Sequence, residues 1–126
     1  MKDTIDLDKK QPIKISKKEI EEEKNIRSKA KQILKDIGFK NCYIGFKYWV
    51  EAMVICSKYS EYERIKMMDL YDIISQKYRT GSKSVERNMR YVCSKLNLKQ
   101  YFNYQYHINN TDLLFLLKDK LETSLN

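Results

Sequence analysis

The chain has 126 residues, 42% of them hydrophobic and 33% charged, with a formal net charge of +8, which describes one domain with a real core and a heavily solvated surface. With 3 glycines and 1 proline it has few sheet turns or breakers, and its apolar spacing is helical, so an all-α fold is expected rather than a turn-rich β fold. No apolar run approaches the ~18–20 residues that span a bilayer, and the leader MKDTIDLDKKQPIKISKK lacks the apolar segment of a secretory signal, so no membrane partner is expected and the expected compartment is the cytoplasm.

Residues 1–15 read as an arm of mixed charge with one proline. Ser16-x-x-Glu19 is a capping-box signature that opens a helix running to Ile37 and ended by Gly38. Its first half, KKEIEEEKN, has too little apolar surface to bury. Its second half carries a core-facing stripe of Ile26, Ala30, Ile33, Leu34 and Ile37. After the loop GFKNCYIG, a second helix is predicted from about Phe46 to Lys58. Tyr48, Trp49, Ala52, Met53, Ile55 and Cys56 cover much of its circumference, which makes it the central buried helix and Trp49 a core residue.

Ser60-x-x-Glu63 is a second capping box, opening helical sequence that runs to Tyr78. Ile65, Met68, Leu70, Ile73 and Ile74 are its apolar positions, with a break near Met68–Leu70. A fourth helix is predicted from Lys83 to Leu96, with Ser82 as its N-cap. The segment LKQYFNYQY is ambiguous, a short aromatic-packing helix being one reading. Asn110 then caps a last helix, TDLLFLLKDKLE, whose apolar face is Leu113, Leu114, Leu117 and Leu121. The sum is a compact domain of about five to six helices.

Charge is concentrated in one place. Residues 76–99 hold seven basic side chains and one acidic, so this short window carries most of the net +8. Lysines and arginines there can replace counterions condensed on phosphates, which points to an anionic partner. The same window reads as a helix-turn-helix. A helix ends at Tyr78, Gly81 permits a positive φ in the turn, and a new helix starts near Lys83. Val85, Met89, Val92 and Leu96 face inward. Lys83, Arg87, Arg90 and Ser94, spaced by four, three and four, share the outward face. A helix that reads the major groove needs such a row, with arginines long enough to reach guanine O6 and N7.

Other chemistries find little support. The cysteines, Cys42, Cys56 and Cys93, are odd in number and widely spaced, and the only histidine is His107. No Cys/His cluster with zinc-ligand spacing exists, so no metal or other cofactor is expected; Cys56 and Cys93 read as small buried hydrophobes. There is no paired acid/base constellation, nucleophile elbow or phosphate-cradling glycine loop, so an enzyme is not expected.

SVERNMRYVCSKL resembles the reading helix of the C-terminal DNA-binding effector domain of stage-zero sporulation protein A, a response-regulator family of endospore-forming bacteria. Where that family typically shows Val-Glu-Arg-x-Ile-Arg-His, this chain has Val85, Glu86, Arg87, Asn88, Met89, Arg90 and Tyr91. Upstream, ILKDIGFKNCYIGFKYWVEAM is similar to the family's opening segment through Ile37, Gly38, Gly45, Phe46, Tyr48 and Ala52. LYDIISQKYRTGS resembles its supporting helix and turn, and NNTDLLFLLKDKL its final helix. The likeness spans about residues 28–122.

The resemblance implies a helix-turn-helix DNA-binding domain over residues 28–122, preceded by a charged arm and helix extension over 1–27 and followed by a tail over 123–126. It further implies a sequence-specific transcriptional regulator of sporulation type that binds double-stranded DNA, with a second copy on tandem sites and RNA polymerase as candidate partners. By the same analogy Glu86, Arg87, Arg90 and Tyr91 fall at base-reading positions. Glu86 has two readings, an ion pair with Arg90 one turn on or acceptance from a cytosine amino group. Lys77, Arg79, Ser82, Lys83, Ser84 and Lys95 are the expected phosphate contacts, which fix register without carrying sequence information. Tyr91 and Asn88 depart from the family's histidine and small residue, and both departures bear on the target sequence. About 27 residues precede the domain, too few for the family's receiver, so the chain reads as an isolated effector domain or a stand-alone paralogue, and Met1 with its own leader favours the paralogue. The alternative is a protein–protein interaction module that modulates another regulator without reading DNA; only a DNA reader must leave Arg87 and Arg90 exposed beside Lys83.

Overall fold

The computed structural model describes residues 17–59, 65–96 and 108–125. Five helices run through them: α1 (Lys17–Asp36), α2 (Ile44–Cys56), α3 (Met67–Tyr78), α4 (Ser82–Ser94) and α5 (Asn110–Leu125). No strand occurs among the described residues, so the domain is all-α as its glycine-poor, helically periodic sequence predicts. The arm, Ser16, the Ser60-x-x-Glu63 box, LKQYFNYQY and His107 lie outside the described residues.

α1 ends where Gly38 was expected to end it. Gly38 adopts φ +102, a left-handed conformation that costs glycine little. The Phe39 N–H then reaches back to the Leu34 carbonyl at 2.9 Å and the Gly38 N–H to that of Lys35 at 3.1 Å. These two bonds form a Schellman motif, which satisfies carbonyls the helix end leaves open. Ala30, Ile33 and Leu34 are buried, while residues 17–25 are exposed.

α2 is the centre of the molecule and packs against all four other helices. Phe46 and every residue from Tyr48 to Val54 are buried, so this helix has no solvent stripe over two turns. Trp49, Ala52 and Met53 are fully enclosed. Cys56 is buried here and Cys93 in α4, both as free thiols; Cys42 is exposed.

α3 corrects part of the expected apolar set. Leu70, Tyr71, Ile74 and Ser75 face the core, but Met68 is 63% and Ile73 43% exposed. At 100° per residue those two flank the buried stripe on opposite sides, so apolar character alone did not decide their burial. The helix begins at Met67, the region where a break was expected.

α5 buries Leu113, Leu114, Leu117 and Leu121. Its cap is one residue earlier than expected: the Asn109 side-chain oxygen accepts the Asp112 N–H at 2.8 Å. Asn110 is instead buried, and its amide donates to the Tyr71 hydroxyl at 3.2 Å and the Glu86 carbonyl at 3.3 Å. The residue thus joins α5 to both α3 and α4.

Candidate nucleic-acid interface

α4 divides cleanly into two faces. Val85, Met89, Val92 and Cys93 are buried, and Lys83, Arg87, Arg90 and Ser94 are exposed on the opposite side. The helix is held from beneath by α2. A Cβ at Gly45 would stand 2.3 Å from the Asn88 carbonyl oxygen and 2.5 Å from a methyl of Val92, so only glycine allows the two helices to approach this closely. One turn along, the Trp49 indole N–H donates to the Met89 carbonyl at 3.0 Å. On one flank the Tyr91 ring meets Tyr43 edge-on, with centroids 5.6 Å apart. On the other flank Asn110 holds the Glu86 carbonyl. Fixed on three sides, the helix presents its fourth to solvent.

The turn between α3 and α4 is built differently from the sequence expectation. Gly81 has φ −89 and ψ 151, ordinary extended backbone open to any residue. The left-handed residue is Arg79, with φ 53 and ψ 50, and the Thr80 N–H then bonds the Ser75 carbonyl at 3.0 Å. Non-glycine residues visit this region at some cost, and the hydrogen bond that closes the helix offsets it. Ser82 also departs from its expected role. Gly81 occupies the N-cap position with no side-chain bond, and Ser82 is the first helical residue. Its hydroxyl donates to the Asp72 carboxylate and lies 3.5 Å from that of Ser75, tying the start of α4 to α3.

The expected contact residues therefore fall into two groups. Arg79, Lys83 and Arg87 are exposed, with no carboxylate partner among the described residues. Arg90 is exposed too, with its Nε 3.0 Å from Glu86 Oε2. In the free protein Glu86 thus takes the ion-pair reading. Such an i, i+4 surface pair contributes only about 0.3–0.5 kcal/mol and opens readily to another partner. Tyr91 is 49% exposed, and the Lys95 ammonium sits 5.0 Å from its ring centroid. Ser84 is half-buried, 3.4 Å from the Asn88 amide. Ser82 and Lys77 are drawn into internal contacts, Ser82 with Asp72 and Lys77 with Glu51 at 2.9 Å.

Glu51 is the feature that sequence reasoning missed. It is buried on the central helix and accepts from Arg27 of α1, Lys77 of α3 and the Tyr78 hydroxyl at 3.2 Å. Burial pushes its carboxyl up, but the hydrogen bonds from Arg27 and Lys77 outweigh that and hold it below the usual carboxylate range. Burial and the neighbouring carboxylate push the Tyr78 phenol up to about 12. The only sign in the sequence was a carboxylate inside the apolar run YWVEAMVIC. The cluster joins three helices at the base of the turn. No group of three or more metal-ligating side chains occurs among the described residues, and none of their helices is long and apolar enough to cross a membrane.

An all-helical scaffold that holds one helix by its apolar side, and turns lysine and arginines outward from the other, has the surface that a DNA-binding regulator needs. The family model for the C-terminal domain of sporulation initiation factor Spo0A matches residues 30–121, and the chain belongs to that family. It is a family of DNA-binding effector domains, not of enzymes. No curated protein and no solved structure was found to match the chain.

Proposed function

We propose that the protein is a sequence-specific transcriptional regulator whose α4 enters the major groove. The observation that carries this reading is the outward row of Lys83, Arg87 and Arg90 on a helix whose opposite face is enclosed. Arg87 has no ion-pair partner among the described residues to give up and is the foremost base-reading residue, suited to guanine O6 and N7. Arg90 reads beside it after exchanging Glu86 for a base. The freed Glu86 carboxylate can accept from a cytosine amino group, and Tyr91 lies at the edge of the contacted bases. Lys83, Arg79, Ser84 and Lys95 contact phosphates and set the register. Lys77 and Ser82 act from within, supporting the turn rather than touching the duplex. The exposure of Arg87 and Arg90 beside Lys83 favours this reading over an interaction module, which has no need of it. Tandem binding of a second copy and contact with RNA polymerase follow only by family analogy.

The test is selection of bound duplexes from random DNA by the full chain, followed by titration of the selected site at several salt concentrations. A recurring motif is expected, with log K falling by about 0.9 per log unit of salt for each phosphate neutralised. Recovery of no motif above background would overturn the reading.

A further inference from the structure

The flank of α4 that carries Tyr91 faces the turn between α1 and α2, and a cleft opens between them. Lys40 and Tyr43 line it from the turn, Val92 from α4 and Lys95 from the cap that follows α4. The turn is anchored firmly. Gly38 closes the Schellman motif, Phe39 is buried edge-on against Trp49 at 6.0 Å, and Trp49 holds the Met89 carbonyl. The backbone of Lys40 is thereby fixed relative to α4 through two packed side chains. Lys40 and Lys95 are both exposed, neither has a carboxylate partner among the described residues, and no acidic residue lines the cleft. The buried Phe39 and Val92 also line it.

We propose that Lys40 and Lys95 together clamp a phosphodiester of duplex DNA, which makes the α1–α2 turn a second wall of the interface. The inference rests on α4 lying in the major groove. A helix in that groove, about 12 Å wide, has a phosphate strand on either side. Tyr91 and Lys95 mark the side facing the turn, so the strand there passes over the cleft. Tyr43 holds Tyr91 against the turn and keeps the two walls in register.

The experiment compares the full wild-type chain with Lys40→Gln, Lys95→Gln, the double variant and Arg87→Ala on the selected site and on random duplex, across a salt series. The double variant is expected to weaken binding to both duplexes by the same factor, roughly tenfold, and to lower the salt slope by about one. Each single variant shows part of that loss, and Lys40→Arg with Lys95→Arg restores it. Wild-type affinity and slope in the double variant overturn the clamp, as does an effect of Lys95→Gln with none from Lys40→Gln. Loss confined to the selected site overturns it too, since phosphate contacts do not discriminate sequence. If wild type binds no duplex, the groove reading falls and takes the clamp with it. If wild type binds and Arg87→Ala weakens binding while the lysine variants do not, only the clamp falls.

Discussion

Gly45 on α2 lies directly against the backbone of Asn88 on α4, so close that any side chain at position 45 would collide with the Asn88 carbonyl. The distance between the central helix and the exposed basic helix is set at this contact. Gly45→Ala forces the two helices apart or bends α4, since the obstructing atoms are backbone and cannot rotate away. A loss of about 2 kcal/mol or more is expected in urea unfolding, within the range of overpacked cores. An unchanged midpoint would show that the helices are not in contact here.

The turn gives the opposite result for its own glycine. Gly81 has a φ and ψ that alanine adopts freely, and a Cβ there meets nothing within 4 Å. Gly81→Ala should therefore change stability by less than about 1 kcal/mol, because the gain from restricting the unfolded chain is offset by alanine's poorer fit at the N-cap of α4. A loss of more than about 2 kcal/mol in Gly81→Ala would mean that position 81, not 79, carries the left-handed conformation.

Glu51 makes the fold sensitive to acid. Its folded pKa lies below the ordinary value of 4.5, so the cluster's contribution is fully present above that value. It is lost as pH falls from about 4.5 through the folded pKa, when the carboxyl takes up a proton and Arg27 and Lys77 lose their partner. Denaturant unfolding of wild type should weaken over this window. Glu51→Gln should be less stable at neutral pH and lose less of its stability as pH falls from about 5 to about 3. Parallel pH profiles for the two proteins would remove Glu51 from the account.

Arg87 and Lys83 should separate by what they discriminate. Arg87→Ala is expected to cost about 1–3 kcal/mol on the selected site and to relax one base preference. Lys83→Ala should weaken selected and random duplex alike. Equal losses on both duplexes from Arg87→Ala would move it to the phosphate class.

The three thiols should differ in reactivity. Burial pushes Cys56 and Cys93 up to about 11, leaving almost no thiolate at neutral pH, whereas Cys42 is exposed. Brief alkylation of the native protein should label Cys42 first, and all three should react after unfolding, as read by peptide mass. Prompt labelling of Cys93 would mean that the underside of α4 opens.

Much of this domain was legible from local pattern. The buried row Val85, Met89 and Val92, the exposed row Lys83, Arg87 and Arg90, and the stop at Gly38 each depend on residues within a turn or two of one another. Helical spacing and glycine's tolerance of positive φ express themselves without help from the rest of the chain. The ordered motifs from Ile37 to Leu121 likewise sufficed to indicate the family that the match over residues 30–121 supplies.

What the tertiary structure decided involves partners far apart in sequence. Glu51 meets Arg27 and Lys77 across 24 and 26 positions, and no local rule says that a carboxylate within an apolar run will find two cations. Lys77, by charge alone a phosphate ligand, is claimed by that carboxylate. The pairing of Tyr43 with Tyr91 and the bond from Trp49 to Met89 are equally non-local, and they decide which flank of α4 faces a second element. Even Arg79, rather than Gly81, took the left-handed position, because closing α3 onto the Ser75 carbonyl and directing the chain into α4 outweighed the intrinsic preference of the residue. Periodicity determines which side of a helix is apolar; only packing determines what covers that side and which charges are left facing outward.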